Sequence, residues 1–132
     1  MTKIILLLLA VSLIACDLGL FTQTQETDEY FISITHDPHP LIVGESAKIY
    51  ATLRKERNGI PACDIKFQQY SKVSSSEAVV DWLEMKERGP AGTYHGRTNV
   101  FDVRGDWMLE FKVKCRRGEK TFKFPYNVGD VT

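Results

Sequence analysis

The chain has 132 residues, with 17 basic and 17 acidic side chains and 43% hydrophobic content. That length supports one domain burying roughly two-thirds of its unfolded surface. The even charge balance argues against a nucleic-acid binder, whose affinity comes largely from clustered Lys and Arg meeting phosphates.

The first element is an apolar run, Ile4–Ala15, interrupted only by Ser12 and preceded by Lys3. Spanning a bilayer core of about 30 Å takes about 20 residues, so the run is too short to cross and reads as a cleavable export segment. It closes on Leu13-Ile14-Ala15-Cys16, which resembles a bacterial lipoprotein signal ending at the lipid-accepting cysteine. Residues 1–15 are therefore expected to be removed, leaving a lipidated Cys16 at the head of a mature chain near −1 in charge. The alternative is a secretory signal cleaved elsewhere, with Cys16 discarded or free. Several acyl chains give stable anchoring where a single one is marginal, and the resemblance implies a diacylated or triacylated terminus. The expected place is a cell membrane or envelope, on the extracytoplasmic side. The choice between inner and outer membrane stays open.

Residues 16–29 are polar, with Thr22-Gln23-Thr24-Gln25 at their centre, and read as a flexible tether. From Tyr30 onward short alternating runs are separated by Gly, Pro, Asn or Asp about every ten residues, the pattern of an all-β sandwich. Tyr30, Ile32 and Ile34 share one face of a first strand that stops at Asp37-Pro38-His39-Pro40, where prolines remove ladder donors. Ala47, Ile49, Ala51 and Leu53 define the second strand; Cys63, Ile65 and Phe67 define the third. Ser71–Ser76 is a polar connection, followed by a less regular run from Val79 to Met85. Thr93–Phe101 is the fifth strand. In the sixth, Trp107, Leu109, Phe111, Val113 and Cys115 take one face while Met108, Glu110, Lys112 and Lys114 take the other. Phe122, Phe124, Tyr126 and Val128 close the set, with Pro125 tolerated only on an edge. About seven antiparallel strands are expected over residues 30–132.

Cys63 and Cys115 each fall on the apolar face of their own strand. That phase predicts a disulfide across two packed sheets, with Trp107 packing on the bridge. Closing a loop of about 50 residues stabilises by roughly 4 kcal/mol in the chain-entropy model. Such a bond belongs outside the cytoplasm, in agreement with the export segment. A redox-active pair is the alternative, but nothing resembles Cys-x-x-Cys and neither position reads as exposed.

Pro40 to Gly44, Gly59-Ile60-Pro61, Leu83-Glu84-Met85, Gly92-Thr93-Tyr94-His95-Gly96 and Gly105-Asp106-Trp107-Met108-Leu109 occur in an order that resembles the YtkA-like domain. The likeness covers roughly Tyr30–Val128. It implies an immunoglobulin-like antiparallel β-sandwich and a link to copper or other cation handling and to respiratory-oxidase assembly. Where members often carry a Met-x-Met pair, this chain has Leu83 and Met85, and a thioether Cu(I) site needs several soft ligands.

Two ligand groups can be drawn from the sequence. His36 and His39, with Asp37 between them, could converge on one cation in a loop; the plainer reading is a proline-stiffened strand end. Met85, His95 and Met108 form a second, softer set if the fold joins their strands, against a plainer reading as packing and surface polarity. Trp82 with Tyr94 and Phe101 reads as a partner patch or as ordinary burial. The cluster Lys112, Lys114, Arg116, Arg117 reads as a solvated face. No nucleophile elbow, phosphate-binding glycine loop or His-Glu-x-x-His is present. The sequence therefore points to a non-catalytic binding or assembly accessory, held to a membrane by lipid and meeting a protein partner in the envelope. A metal-trafficking accessory with copper as cargo is the alternative; no resident cofactor and no nucleic-acid partner are expected.

Overall fold

The structure is a computed structural model that describes residues 22–72, 82–116 and 118–130. Among these the chain forms strands and turns with no helix. The strands are β1 (Gln23–Glu26), β2 (Phe31–Asp37), β3 (Leu41–Ile42), β4 (Lys48–Lys55), β5 (Asn58–Gly59), β6 (Asp64–Ser71), β7 (Leu83–Glu84), β8 (Lys86–Glu87), β9 (Thr93–Arg97), β10 (Gly105–Cys115) and β11 (Gly118–Gly129). One sheet runs β1-β2-β4-β9-β8 with β5 on β4; the other runs β3-β11-β10-β6-β7. Every pairing is antiparallel except β3 with β11. The fold is the expected all-β sandwich.

Alternation decides which faces meet. Trp107, Leu109, Phe111 and Val113 of β10 turn inward with Phe122 and Phe124 of β11 and Ile65 and Phe67 of β6. They meet Ile32 and Ile34 of β2, Ile49, Ala51 and Leu53 of β4, and Tyr94 of β9, all buried. Phe111 lies at the centre, stacked on Phe67 at 5.4 Å and edge-on to Phe124 at 5.6 Å. Such aromatic pairs add about 0.5–1.5 kcal/mol each beyond area burial. Gly96 lets the sheets approach: a Cβ there would lie 2.9 Å from the Phe67 ring and 3.1 Å from the Met85 side chain. Gly92 takes φ +88° in the turn before β9, where a Cβ would meet the Leu53 carbonyl at 2.5 Å. Both glycines of the Gly92–Gly96 motif therefore have steric reasons to be glycine.

Three differences from the sequence reading concern element boundaries. Residues 23–26, expected within the tether, form β1, paired in register Gln23 with Ile34 through Glu26 with Phe31. Polar composition concealed an edge strand held by side-chain bonds. The Gln23 and Gln25 amides donate at 2.6 Å to the carbonyls of Pro125 and Lys123 across the open margin of the sandwich, and the Thr24 and Ser33 hydroxyls pair at 2.9 Å. Since a strand residue's carbonyl and amide point the same way, Pro125 lacks an N–H only on the side away from β10, so no ladder bond is lost. The strand expected from Val79 to Met85 is reduced, within the described residues, to β7 and β8 on either side of Met85; residues 73–81 lie outside them. The strand expected over Thr93–Phe101 ends at Arg97. Beyond it the chain crosses to the other sheet, held by reciprocal bonds between Thr98 and Ala47 and between Asn99 and the buried Gln69 amide.

Candidate functional site

The two ends of the sandwich carry different chemistry. At the end where β4 turns into β5 and β10 into β11, Cys63 and Cys115 form a disulfide with a Cα–Cα separation of 4.6 Å. The expected pairing is right, but the expected placement across two sheets is not. Asp64 lies opposite Lys114 in the β6–β10 ladder, so the cysteines extend that ladder by one pair and join adjacent strands of one sheet. Cross-strand neighbours share a face just as facing sheets do, so inward phase alone does not separate the two arrangements. Trp107 does not pack on the bridge either. It lies eight residues along β10 from Cys115, about 26 Å away, edge-on to Phe101 at 5.0 Å, and its indole N–H donates to the Val103 carbonyl at 2.8 Å.

Beside the disulfide opens a cleft of about 520 Å³, with Tyr30, Ile60, Pro61 and Ala62 as apolar walls and Glu29, Lys55 and Arg116 at its margin. The volume falls in the range of small-molecule and peptide-anchor sites. Its wall is built by Tyr94 from the opposite sheet: the phenol donates to the Ile60 carbonyl at 2.8 Å and accepts from the Cys63 amide at 3.0 Å. Burial pushes the Tyr94 phenol up from its ordinary value, with the Cys63 bond opposing. Ala62 sits at φ 60°, and its amide donates to Glu87 Oε1 at 3.0 Å while the Gly92 amide donates to Oε2 at 3.1 Å. Those backbone donors hold the Glu87 carboxyl below its ordinary value. Sequence reasoning did not find this cleft. Tyr94 stood out only as part of a glycine motif, and the other contributors are scattered along the chain.

At the opposite end the structure brings His36 and His39 together, their rings 4.6 Å apart. His36 is the last inward residue of β2, 6% exposed, with Tyr126 edge-on at 5.1 Å. Its Nδ1 lies 2.7 Å from the Pro38 carbonyl. A carbonyl only accepts, so Nδ1 carries the proton and Nε2 keeps its lone pair. Burial lowers the His36 pKa, the Pro38 bond opposes this, and His39 adds a smaller lowering. The expected convergence of Asp37 fails, because Asp37 follows His36 in the strand and takes the outer phase. Among the described residues no three His, Cys, Asp or Glu side chains gather as a ligand set. The Tyr126 hydroxyl is buried without a hydrogen-bond partner among them, and burial drives its pKa far up.

The second expected group is dispersed. Met85 is buried against Gly96 in the interior. His95 lies on the outer face of its sheet, edge-on to Tyr50 at 4.9 Å, and Met108 lies on the outer face of the other sheet between Tyr70 and Pro125. Tyr94 and Phe101 are buried, so they form no patch with Trp82, whose ring instead carries the Lys112 ammonium 4.5 Å from its centroid. Cys16 and the preceding segment lie outside the described residues.

The fold and its two ends define a two-sheet β-sandwich with one apolar, disulfide-walled cleft. No family model matches the chain, and no curated protein matches it. A solved structure of a DUF4785 family protein from Legionella pneumophila is similar in fold, with a TM-score of 0.51 and 12% identity over 80% of this chain. The chain spans only 30% of that protein's length, and the likeness concerns fold alone.

Proposed function

We propose that the chain is a lipid-anchored extracytoplasmic protein whose sandwich acts as a non-catalytic binding or assembly accessory, meeting its partner through the cleft beside Cys63–Cys115. The observation that carries this reading is the position of the cleft. β1 begins opposite Ile34 and runs toward the disulfide end, so Gln23, the first strand residue, lies away from the cleft and leaves it open to a partner. The disulfide supports an oxidising compartment, in keeping with the Leu13–Cys16 motif. Two experiments test the reading. Labelled palmitate is expected in the wild-type chain and absent from Cys16→Ser. A photo-crosslinking residue at position 116 is expected to give a discrete envelope adduct, while one at Asn127, on an outer face, gives none; equal adducts or none at 116 would overturn the assignment of the cleft.

A second reading rests on the His36–His39 pair and on the YtkA-like order of motifs: a cation-handling accessory with copper as cargo. The rings already lie together, and the Pro38 bond leaves His36 Nε2 with its lone pair, the arrangement that outer hydrogen bonds give metal-binding imidazoles. Titration with Cu(I), Cu(II) and Zn²⁺ tests it. Micromolar or tighter binding that disappears in His36→Ala/His39→Ala supports the cargo role, and no binding by the wild type removes it.

A further inference from the structure

On the outer face of the β1-β2-β4-β9-β8 sheet, Lys48, Lys86, Arg88 and Arg97 surround Tyr50 and His95 in a shallow hollow of about 430 Å³. The ladder sets Lys48 directly opposite Arg97, a like-charge pair that opposes sheet stability. Asp37 lies across from Lys48 and Glu84 at the margin of the hollow. Neither forms an ion pair with the four cations; the ion pairs among the described residues are Arg104–Asp130 and Lys112–Glu119. On the other outer face the charges are matched more closely. Lys114 faces Glu119 and Asp64, Lys123 faces Glu110, and of the opposed pair Lys66 and Lys112 the first also faces Glu84 and the second joins Glu119 and Trp82. The first face therefore gathers Lys48, Lys86, Arg88 and Arg97 against Asp37 and Glu84, a net positive surface on a chain with 17 basic and 17 acidic residues.

Its position matches the proposed anchor. Lys48 and Arg97 lie at the end of the sheet from which β1 starts, two and three strands away from β1, about 10–15 Å at ordinary strand spacing. Cys16 stands seven positions before Gln23, a reach of at most about 25 Å. We propose that this face lies against the anionic phospholipid headgroups of the membrane that holds the lipid, an inference that rests on the lipid-anchor reading above. Charge complementarity selects the occupant, since attraction near an anionic leaflet grows with each Lys or Arg. Docking this face fixes the domain's orientation and leaves the disulfide cleft open to a partner.

The test uses the full lipidated protein in vesicles of phosphatidylcholine alone and of phosphatidylcholine with one-quarter phosphatidylglycerol. Lysine acetylation is read residue by residue by mass spectrometry, with the Cys16 peptide measured in the same sample. In anionic vesicles at low salt, Lys48 and Lys86 are expected to label at least about threefold more slowly than in neutral ones, with Lys114 and Lys123 unchanged, and 1 M salt should erase the difference. Arg88→Gln/Arg97→Gln should abolish most of that protection without altering the fold. Equal labelling of Lys48 and Lys86 in both vesicles, with Cys16 lipidated, overturns the docking face alone. An unmodified Cys16 overturns the anchor and this placement with it.

Discussion

The two ends of the sandwich are closed by different means. At the cleft end a covalent bridge joins two neighbouring strands, and the Tyr94 phenol ties the segment before β6 to the opposite sheet. At the other end closure is noncovalent: Trp107 packs on Phe101, Gln69 and Thr98 hold the crossing segment, and His36 and Tyr126 lie buried together. At the cross-linked end the bridge fixes the segment before β6 to the end of β10, and the Tyr94 phenol holds that segment to the opposite sheet. The other end relies on fill and carries buried polar groups, so it should respond to pH.

Substitutions separate the two ends. Replacing both bridge cysteines, Cys63→Ser/Cys115→Ser, should destabilise by about 4 kcal/mol, read by urea unfolding. A change under about 1 kcal/mol would mean the bridge constrains little. Trp107→Ala should cost about 3 kcal/mol, near the lower bound for buried tryptophan because the ring lies at an end of the core. It should leave the disulfide intact on non-reducing electrophoresis. Tyr94→Phe keeps the ring but removes one donor and one acceptor, leaving the Cys63 amide and Ile60 carbonyl unpaired by it. A loss of about 1–2 kcal/mol is expected, together with faster hydrogen exchange at Cys63.

Smaller effects belong to the noncovalent end. The His36 pKa is lowered on folding, so the folded state binds fewer protons there than the unfolded chain. Stability unaffected by this group above about pH 6.5 should therefore fall as pH drops below it, and His36→Phe should flatten that slope in denaturation curves at pH 5 and 7.5. Tyr126→Phe removes a buried hydroxyl that has no partner among the described residues. It should be neutral or stabilise by up to about 1 kcal/mol; a clear loss would reveal a partner for the phenol.

Period-two alternation made the longer strands legible, above all β10, where five apolar residues share one face. The disulfide pairing was legible from the same phase, but not its location, because adjacent strands and facing sheets satisfy that phase equally. β1 escaped notice because an edge strand secured by Gln23 and Gln25 needs no apolar residues. The His36–His39 proximity follows from short spacing. The cleft was not readable, since Tyr30, Ile60 and Tyr94 meet only through sheet pairing. The cationic face shows the same limit from the other side: Lys112, Lys114 and Arg116 form a visible cluster in sequence, while Lys48, Lys86 and Arg97 gather only when β4, β8 and β9 align.

The account depends on a lipid anchor at Cys16 carrying an oxidised, disulfide-bridged domain, and the mature N-terminus tests that most directly. Mass spectrometry of protein extracted from membranes under non-reducing conditions should show a chain beginning at an acylated Cys16 with Cys63 and Cys115 joined. A mature chain that begins elsewhere, or that carries Cys16 as a free thiol, would contradict the account.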